Sequence, residues 1–322
     1  MRETDRAHYE RVLAFVNQSN AAVNLGFPAD PGIATRGLGA KTSPNRDNWA
    51  FDKVGKQGIG SIELSADGLR LYVMDLTNRQ VLCIDFATKK LIWKLAVSTP
   101  ACVGGTADIR PWALKEHNGI LYVGAVCSGE TNQNNDQLHY YVMQCNSLTA
   151  ATSMSLAADL GGSKDKEDSD WLAWLPNTPN SAITGIANGS YVIYSQPTIS
   201  NIEFDNNDNM IVGMMDRGGH MFGNSNYVPG VSNTNLFKNI AGGDMARVVR
   251  SGASTYTVET APFTFFDTRA GIQLAYSPPY DQFNGGLVVN SANGQNIAVT
   301  NLTDPLSVES TGTGWLAKNN RW

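Results

Sequence analysis

The sequence predicts an all-β protein, and three observations support that fold class: a turn-rich composition, a low content of charge and a recurring pattern of short strands. The chain of 322 residues contains 31 Gly and 30 Asn, which tolerate the positive φ angles of tight turns. Charged residues make only 16% of the chain, against about 25% in ordinary globular domains. Apolar residues make 42%, so a sizeable core can form.

The clearest repeating unit lies in residues 59–95. Ile62 and Leu64 alternate with polar residues, and Ala66-Asp67-Gly68 is typical of a hairpin turn. Three more strands are predicted at residues 69–74, 81–86 and 91–95. Four antiparallel strands in so short a segment are typical of one β-propeller blade.

The same pattern recurs along the chain. A second copy has predicted strands at residues 111–114, 120–126 and 139–145, a third at 199–204, 210–215, 245–249 and 256–258, and a fourth at 286–290 and 296–301. Copies separated by insertions favour a propeller over a sandwich. Four-stranded antiparallel blades of about 40–45 residues each predict about six or seven blades, in a complete or an incomplete array.

A single propeller domain spanning residues 1–322 is the predicted organisation. It carries a loop-rich N-terminal segment, residues 1–58, and a long insertion at residues 146–190. A short helix is predicted at residues 4–15, with Thr4 as its N-cap.

The net charge of -5 and the absence of a Lys/Arg run argue against nucleic acid as a partner. No stretch approaches about 18 consecutive apolar residues, so no membrane span is predicted.

Three blocks of sequence resemble a known family. They are RGLGAKTSPNRDNWAFDKVGKQGIGSIELSADGLRLYVMDLTNRQV (residues 36–81), DIRPWALKEHNGILYVGAVCSGETN (residues 108–132) and YSQPTISNIEFDNNDNMIVGMMDRGGHMFG (residues 194–223). They resemble, in the same order, a bacterial extracellular β-propeller family that stands ahead of B-type modules of serine-aspartate-repeat adhesins. Those proteins are large and are secreted or anchored at the cell surface.

The resemblance implies an extracellular or cell-surface propeller and carries over no catalytic residue. The family has an earlier blade before the block that begins at Arg36, and this sequence does not show it. The family continues into further modules, whereas this chain stops at Trp322. The resemblance therefore implies a propeller cut out of, or diverged from, a longer surface protein.

Asp216, Arg217 and His220 form the densest polar cluster, directly after a predicted strand and therefore at one face of the propeller. One interpretation is a ligand or metal site in which Asp216 and His220 supply lone pairs and Arg217 binds an anion. The alternative is structural: an Asp–Arg pair joins two blades and the two glycines form a turn. In either case, we expect Asp216 to accept hydrogen bonds from the backbone or from Arg217.

Two tryptophans and one arginine are further candidates for ligand binding. Trp171 and Trp174 lie three residues apart in the predicted insertion and could stack on sugar rings if exposed. Alternatively, they anchor the insertion on the core. Arg110 precedes an inner strand and could line the central channel.

Glu63 and Glu203 occupy equivalent places in two inner strands. Paired carboxylates can perform acid–base catalysis. Because a repeated strand position has a sufficient structural explanation, we expect these two not to be a catalytic pair.

No cofactor is predicted. Calcium is an alternative at residues 205–209, which have the composition of a calcium loop but lack the Gly and Glu of an EF-hand. A turn between two strands accounts for the same residues.

The four cysteines predict one disulfide, between Cys102 and Cys127. A hairpin brings the segment before its first strand close to the end of its second, which suits the short Cα separation that a disulfide needs. Cys83 and Cys145 are interpreted as buried thiols. The alternative is that all four cysteines are reduced and buried, as in a cytosolic protein.

The function that these observations favour is that of a non-catalytic module for binding, adhesion or structure, located outside the cell. Long polar loops with few ionisable residues suit this role better than catalysis, which needs convergent titratable groups. The expected partner is a surface glycan or a protein, self-association included. The alternatives are a glycan-cleaving propeller enzyme and a scaffold subunit of a surface filament or appendage.

Overall fold

A computed structural model describes most of the first three blades and parts of the remaining chain. The described residues are 31–36, 38–40, 43–47, 49–149, 153–162, 170–176, 191–192, 194–222, 224–228, 235–239, 243–253, 255–258, 287–289, 296–301 and 312–317. The helix predicted at residues 4–15 lies outside them.

The first blade is an antiparallel sheet of four consecutive strands. The strands are β1 (Ile59–Leu64), β2 (Arg70–Asp75), β3 (Gln80–Asp85) and β4 (Leu91–Ala96), paired in that order. Each connection is a short turn that contains one residue with positive φ: Gly68 (φ 71), Arg79 (φ 51) and Lys89 (φ 60). All four predicted strands are confirmed.

The second blade has the same order, β5-β6-β7-β8. Its strands are β5 (Ile109–His117), β6 (Ile120–Cys127), β7 (His139–Asn146) and β8 (Ser155–Asp159). Asn118 and Gly119 both have positive φ, 52° and 78°, as a two-residue hairpin turn requires. The outer strand β8 lies within the segment that the sequence predicted as an insertion.

The third blade has the order β10-β11-β14-β15. Its strands are β10 (Pro197–Phe204), β11 (Met210–Asp216), β14 (Asp244–Arg250) and β15 (Tyr256–Val258). Between β11 and β14 the chain forms a short helix, Arg217–Phe222, and part of a small sheet. That sheet consists of β9 (Tyr191–Val192), β12 (Asn224–Asn226) and β13 (Phe237–Asn239), with β13 parallel to β9.

A further antiparallel sheet follows the third blade. It contains β16 (Leu287–Val289), β17 (Asn296–Asn301) and β18 (Gly312–Ala317). The sequence predicted the first two of these strands and not the third. Another short helix, Ile33–Arg36, precedes the first blade. None of the helices in the described part of the chain is long and apolar enough to cross a bilayer.

The innermost strands of successive sheets lie side by side. Strand β5 contacts β1 on one side and β10 on the other, and β10 in turn contacts β16. One apolar core, which includes Tyr72 and Val123, fills the space between the first and second blades, and another, which includes Tyr140 and Val212, fills the space between the second and third. The fold is therefore an all-β propeller of four-stranded antiparallel blades.

Gly124 shows how closely the second and third blades approach. A Cβ atom built at this position of β6 would lie 2.3 Å from Cγ2 of Ile199 in β10. Only glycine leaves room for that side chain.

Candidate binding site

Five polar residues meet at the face of the propeller where the inner strands begin, called the upper face below. Lys56 precedes β1, Arg110 lies at the start of β5 and Gln196 precedes β10. Glu130 follows β6, and Arg217 follows β11. The blade topology brings them together because, in antiparallel hairpins, the start of the first strand lies beside the end of the second.

Arg217 is the most deeply buried charge of this group, with 1% of its surface exposed. Its Nε donates to the Val54 carbonyl at 2.6 Å, and its NH2 donates to the Asp52 carbonyl at 3.3 Å. Its NH1 group donates to the Leu175 carbonyl and to the side-chain oxygen of Gln196. Burial lowers the pKa of Arg217, but a guanidinium still remains charged at neutral pH. Arg217 therefore holds these loops together through hydrogen bonds. Its contacts do not support the predicted role in binding an anion.

Glu130 joins two cations of the upper face. Its Oε2 accepts from NH2 of Arg110 at 2.6 Å, and its Oε1 accepts from Nζ of Lys56. The Lys56 ammonium also donates to the carbonyls of Leu175 and Pro176, at 3.3 and 3.2 Å. Burial, followed by repulsion from Arg217, lowers the pKa of Lys56 to about 8. Burial alone would raise the pKa of Glu130, but Arg110 and Lys56 outweigh it and the pKa is lowered.

Trp174 lies between the two guanidinium groups of this site. The Cζ atoms of Arg217 and Arg110 lie 4.4 and 5.6 Å from its ring centroid, within cation–π range. Its Nε1 donates to the Pro197 carbonyl at 2.8 Å, and its surface is 0% exposed.

Trp171 is also fully buried, in the core between the second and third blades. Neither ring can stack on a sugar in this structure, so the structural alternative, anchoring of residues 170–176 on the blades, is the one that the contacts support.

Asp216 and Arg217 both bind Gln196, Asp216 at its backbone N–H and Arg217 at its side-chain oxygen. Asp216 is buried and accepts hydrogen bonds from the backbone N–H groups of Gln196 and Gly218, at 2.8 and 2.7 Å. This confirms the expected backbone bonding of Asp216. His220 is exposed. The sequence predicted a glycine turn here, but residues Arg217–Phe222 form a helix whose Phe222 packs edge-on against Phe51, with ring centroids 5.2 Å apart.

The Asp205 loop has the contacts of a turn. Oδ1 of Asp205 accepts from the backbone N–H groups of Asn207 and Asn209, and Oδ2 accepts from NH2 of Arg247 at 3.1 Å. These donors occupy the carboxylate oxygens that a calcium ion would use. Within the described ranges, no group of three or more His, Cys, Asp or Glu residues is arranged to hold a metal.

Glu63, Lys115 and Glu203 form an inter-blade triad, one residue from each of the inner strands β1, β5 and β10. Nζ of Lys115 lies 3.5 Å from Oε1 of Glu63 and 3.0 Å from Oε2 of Glu203. Burial raises the pKa of both glutamates, and Lys115 opposes this. Burial alone would lower the pKa of Lys115, but the two carboxylates outweigh it and the pKa is raised.

The contacts of Lys115 determine how much room there is between Glu63 and Glu203, the two glutamates that could have formed a glycosidase pair. Such a pair needs room between its carboxyl groups for a sugar or a water, and here the Lys115 ammonium binds both. That Glu63 and Glu203 are not catalytic stays a prediction.

The predicted disulfide is confirmed. Cys102 and Cys127 are bonded, with their Cα atoms 5.4 Å apart. Cys83 and Cys145 are buried and free, as predicted. Burial raises the pKa of Cys83 to about 12 and that of Cys145 to about 11, so both thiols are unreactive at neutral pH.

Sequence reasoning found Arg110, Trp174, Asp216 and Arg217 and missed Glu130 and Gln196. Both lie in loops between strands, and no motif marks either of them. The available signal was positional: a polar side chain just before an inner strand or just after a second strand lies at the upper face of the propeller. Lys56, which precedes β1, is likewise marked by no motif.

Comparison with known proteins identifies distant similarity. No family model matches the chain. Colossin-D of Dictyostelium discoideum is 26% identical over 180 residues, which cover 54% of this chain and 17% of that protein. The chain thus matches only about a sixth of this relative's length.

Several solved structures are distantly similar to this chain. Hydrazine synthase of Kuenenia stuttgartiensis is 11% identical with a TM-score of 0.39, covering 82% of this chain and 52% of that one. The periplasmic gluconolactonase PpgL of Pseudomonas aeruginosa is 14% identical with a TM-score of 0.31, covering 80% and 54%. An endo-1,4-beta-xylanase of Bacteroides thetaiotaomicron is 10% identical with a TM-score of 0.35, covering 87% and 84%. At this distance none of them assigns an activity to this chain.

Proposed function

We propose that this chain is a non-catalytic extracellular β-propeller that serves as a binding, adhesion or structural module of a larger cell-surface protein or assembly. The observation that carries the proposal is how its charged groups are used. Lys115 joins three blades through Glu63 and Glu203, and Arg217 is fully engaged with loop carbonyls. Groups held in this way stabilise a scaffold and are poorly placed to react with a substrate.

Two further observations support placement outside the cell in a longer protein. The Cys102–Cys127 disulfide is typical of oxidising compartments. The resemblance to propellers that precede adhesin modules points the same way. The similarity to a short stretch of the much longer Colossin-D is also compatible with a module.

A glycan-cleaving enzyme remains the second candidate, because the carboxylates of Glu63 and Glu203 both contact the Lys115 ammonium and both have raised pKa values. The experiment incubates the purified chain with a panel of neutral and acidic polysaccharides and measures reducing ends. We expect no release above a boiled control. Turnover that disappears in both Glu63→Gln and Glu203→Gln variants, while the fold is retained, would overturn the non-catalytic proposal.

The extracellular part of the proposal is tested on protein isolated from its native source without reductant. Surface labelling of intact cells followed by non-reducing peptide mapping should recover the peptide linked through Cys102 and Cys127 from the labelled fraction. Free thiols at both positions in an unlabelled fraction would contradict it.

A further inference from the structure

The first blade has two apolar faces, and the second blade packs against one of them. Tyr72 and Cys83 belong to the core between these two blades. Because side chains alternate along a strand, Val73, Leu82 and Ile84 point to the opposite side of the sheet, called the free face below. All three are 0–1% exposed, although they belong to none of the apolar cores that the described residues form.

The cover over the free face is narrow. A fully buried side chain touches about 6–12 other residues, so the central strands β2 and β3 lie under further atoms. On the flanking strands, by contrast, Ile62 of β1 is 40% exposed and Ile92 of β4 is 47% exposed. Leu64, at the end of β1, is 47% exposed as well. The free face is therefore covered along its middle and open along both sides.

The second and third blades show what a whole blade does at the same positions. Leu114 of β5 and Ile202 of β10 correspond to Ile62, because each of the three pairs with a valine of the next strand. The preceding blade packs on each of the first two, and Leu114 is 2% and Ile202 0% exposed. A further blade on the free face would bury Ile62 in the same way. Its exposure indicates a cover that is one helix or one strand wide.

A single helix fits this footprint. An α-helix with its side chains is about 10–12 Å wide, enough to cover two strands that lie about 4.8 Å apart. Strands β2 and β3 have six residues each and are therefore about 20 Å long, the length of a helix of about 13 residues. The burial of Val73 and Leu82 occurs within one copy of the chain, which favours a segment of this chain over a second copy as the occupant.

Residues 4–16 have the pattern that such a helix needs. Their apolar side chains recur at the helical spacing i, i+3, i+4 and i+7, at Tyr9, Val12, Leu13 and Val16. Residues 17–30 join this segment to the start of the described ranges. When extended they reach about 50 Å, more than twice the radius of gyration of about 20 Å expected for a domain of this size. The segment can therefore reach the free face.

We propose that residues 4–16 form an amphipathic helix that lies along β2 and β3 and covers the middle of the free face. In water a helix this short is marginally stable alone, so docking supplies most of its stability. In this position the helix withholds an apolar sheet from other proteins, where an exposed patch would promote association. The proposal does not depend on the binding function proposed above.

The first experiment cross-links the two elements in the full chain. Val12→Cys is combined with Ile92→Cys, and a short bismaleimide is added. The native thiols of Cys83 and Cys145 are buried and unreactive at neutral pH. We expect a link within one molecule, identified by peptide mapping and independent of protein concentration.

The matched control combines Val12→Cys with Leu156→Cys. Leu156 lies on the outer strand β8 of the second blade and, at 39% against 47%, is nearly as exposed as Ile92. We expect at least tenfold less link in the control. Equal yields, including no link in either variant, would overturn the proposal. A link formed only between molecules would assign the free face to a second copy and would overturn it as well.

The second experiment disrupts the apolar side of the helix and leaves the blade unchanged. We expect Leu13→Asp to bind at least twofold more of a hydrophobic fluorescent dye than the wild type, because the free face becomes accessible. Ala14→Asp places the same charge on the opposite side of the helix and should bind the dye as the wild type does. A synthetic peptide of residues 1–18 should return the dye binding of Leu13→Asp to the wild-type level. The same dye binding by both variants would contradict the proposal.

Discussion

Several charged side chains in this protein are held by residues of neighbouring blades. Lys115 is the clearest case, because its ammonium contacts carboxylates from the blades on both sides. The three side chains are 18–23% exposed, so solvent screens them less than it screens a surface pair. Removing one member therefore leaves charges that water cannot fully stabilise.

We predict that Lys115→Met destabilises the fold by about 2 kcal/mol at pH 7.5, which is below the 3–5 kcal/mol for a fully buried pair. The pH dependence follows from the two glutamates. Their folded pKa values are already raised and should rise further without Lys115. A carboxyl group with a raised folded pKa carries no penalty below its unfolded pKa and loses stability as the pH rises through the window above it. The deficit should therefore shrink at pH 5, as measured by urea unfolding.

Two control variants make this prediction specific. Lys94→Met removes an exposed lysine from a strand of the first blade and should change the free energy of unfolding little at either pH. Adding Glu63→Gln and Glu203→Gln to Lys115→Met should restore most of the lost stability. A deficit that does not depend on pH would show that lost packing, and not unpaired charge, is the cause.

Single residues were predictable from the sequence where local chemistry decides their contacts. Asp216 ends a strand before two glycines, and its bonds to backbone N–H groups follow from that position. Trp174 was not predictable in the same way. Its burial depends on Arg110 and Arg217, which come from two different blades, and the sequence does not show how closely those blades approach.

Some strands were predictable from the sequence and others were not. Alternation and turn residues located every strand of the first and third blades, because those strands are rich in Val, Ile, Leu and Met. Strand β8, Ser155–Asp159, has the sequence SLAAD, whose small and acidic residues have low β propensity. It forms because it pairs with β7. Likewise the helix Arg217–Phe222 contains two glycines, and the burial of Arg217 and Phe222 overrides its poor propensity.

The disulfide links two segments of the second blade, the loop before β5 and the end of β6. We predict that replacing Cys102 and Cys127 by serine lowers the free energy of unfolding by about 3.5 kcal/mol, the chain-entropy value for residues 25 positions apart. Reductant should lower the stability of the wild type by the same amount and leave the double variant unchanged. Equal stability of the variant and the oxidised wild type would contradict this.

For the whole molecule, the sequence specified the architecture better than the site. Repetition of one blade pattern is visible along the chain, and the adjacency of β1, β5 and β10 follows once each unit is a blade. The upper face could not be assembled in advance, since its members come from loops of three blades. These loops share no sequence pattern, so only the packed structure shows that Lys56, Glu130 and Arg217 lie together.

The position of the disulfide has a mechanical consequence for the folded chain under tension. Cys102 and Cys127 are 25 residues apart, and that stretch would extend by about 80 Å if it were pulled straight. With the bond intact, force applied at the two ends of the chain bypasses this stretch, which includes β5 and most of β6. In single-molecule stretching, the total unfolded length should therefore increase by about 80 Å when reductant is added. The same length with and without reductant would show that force does not pass through this link.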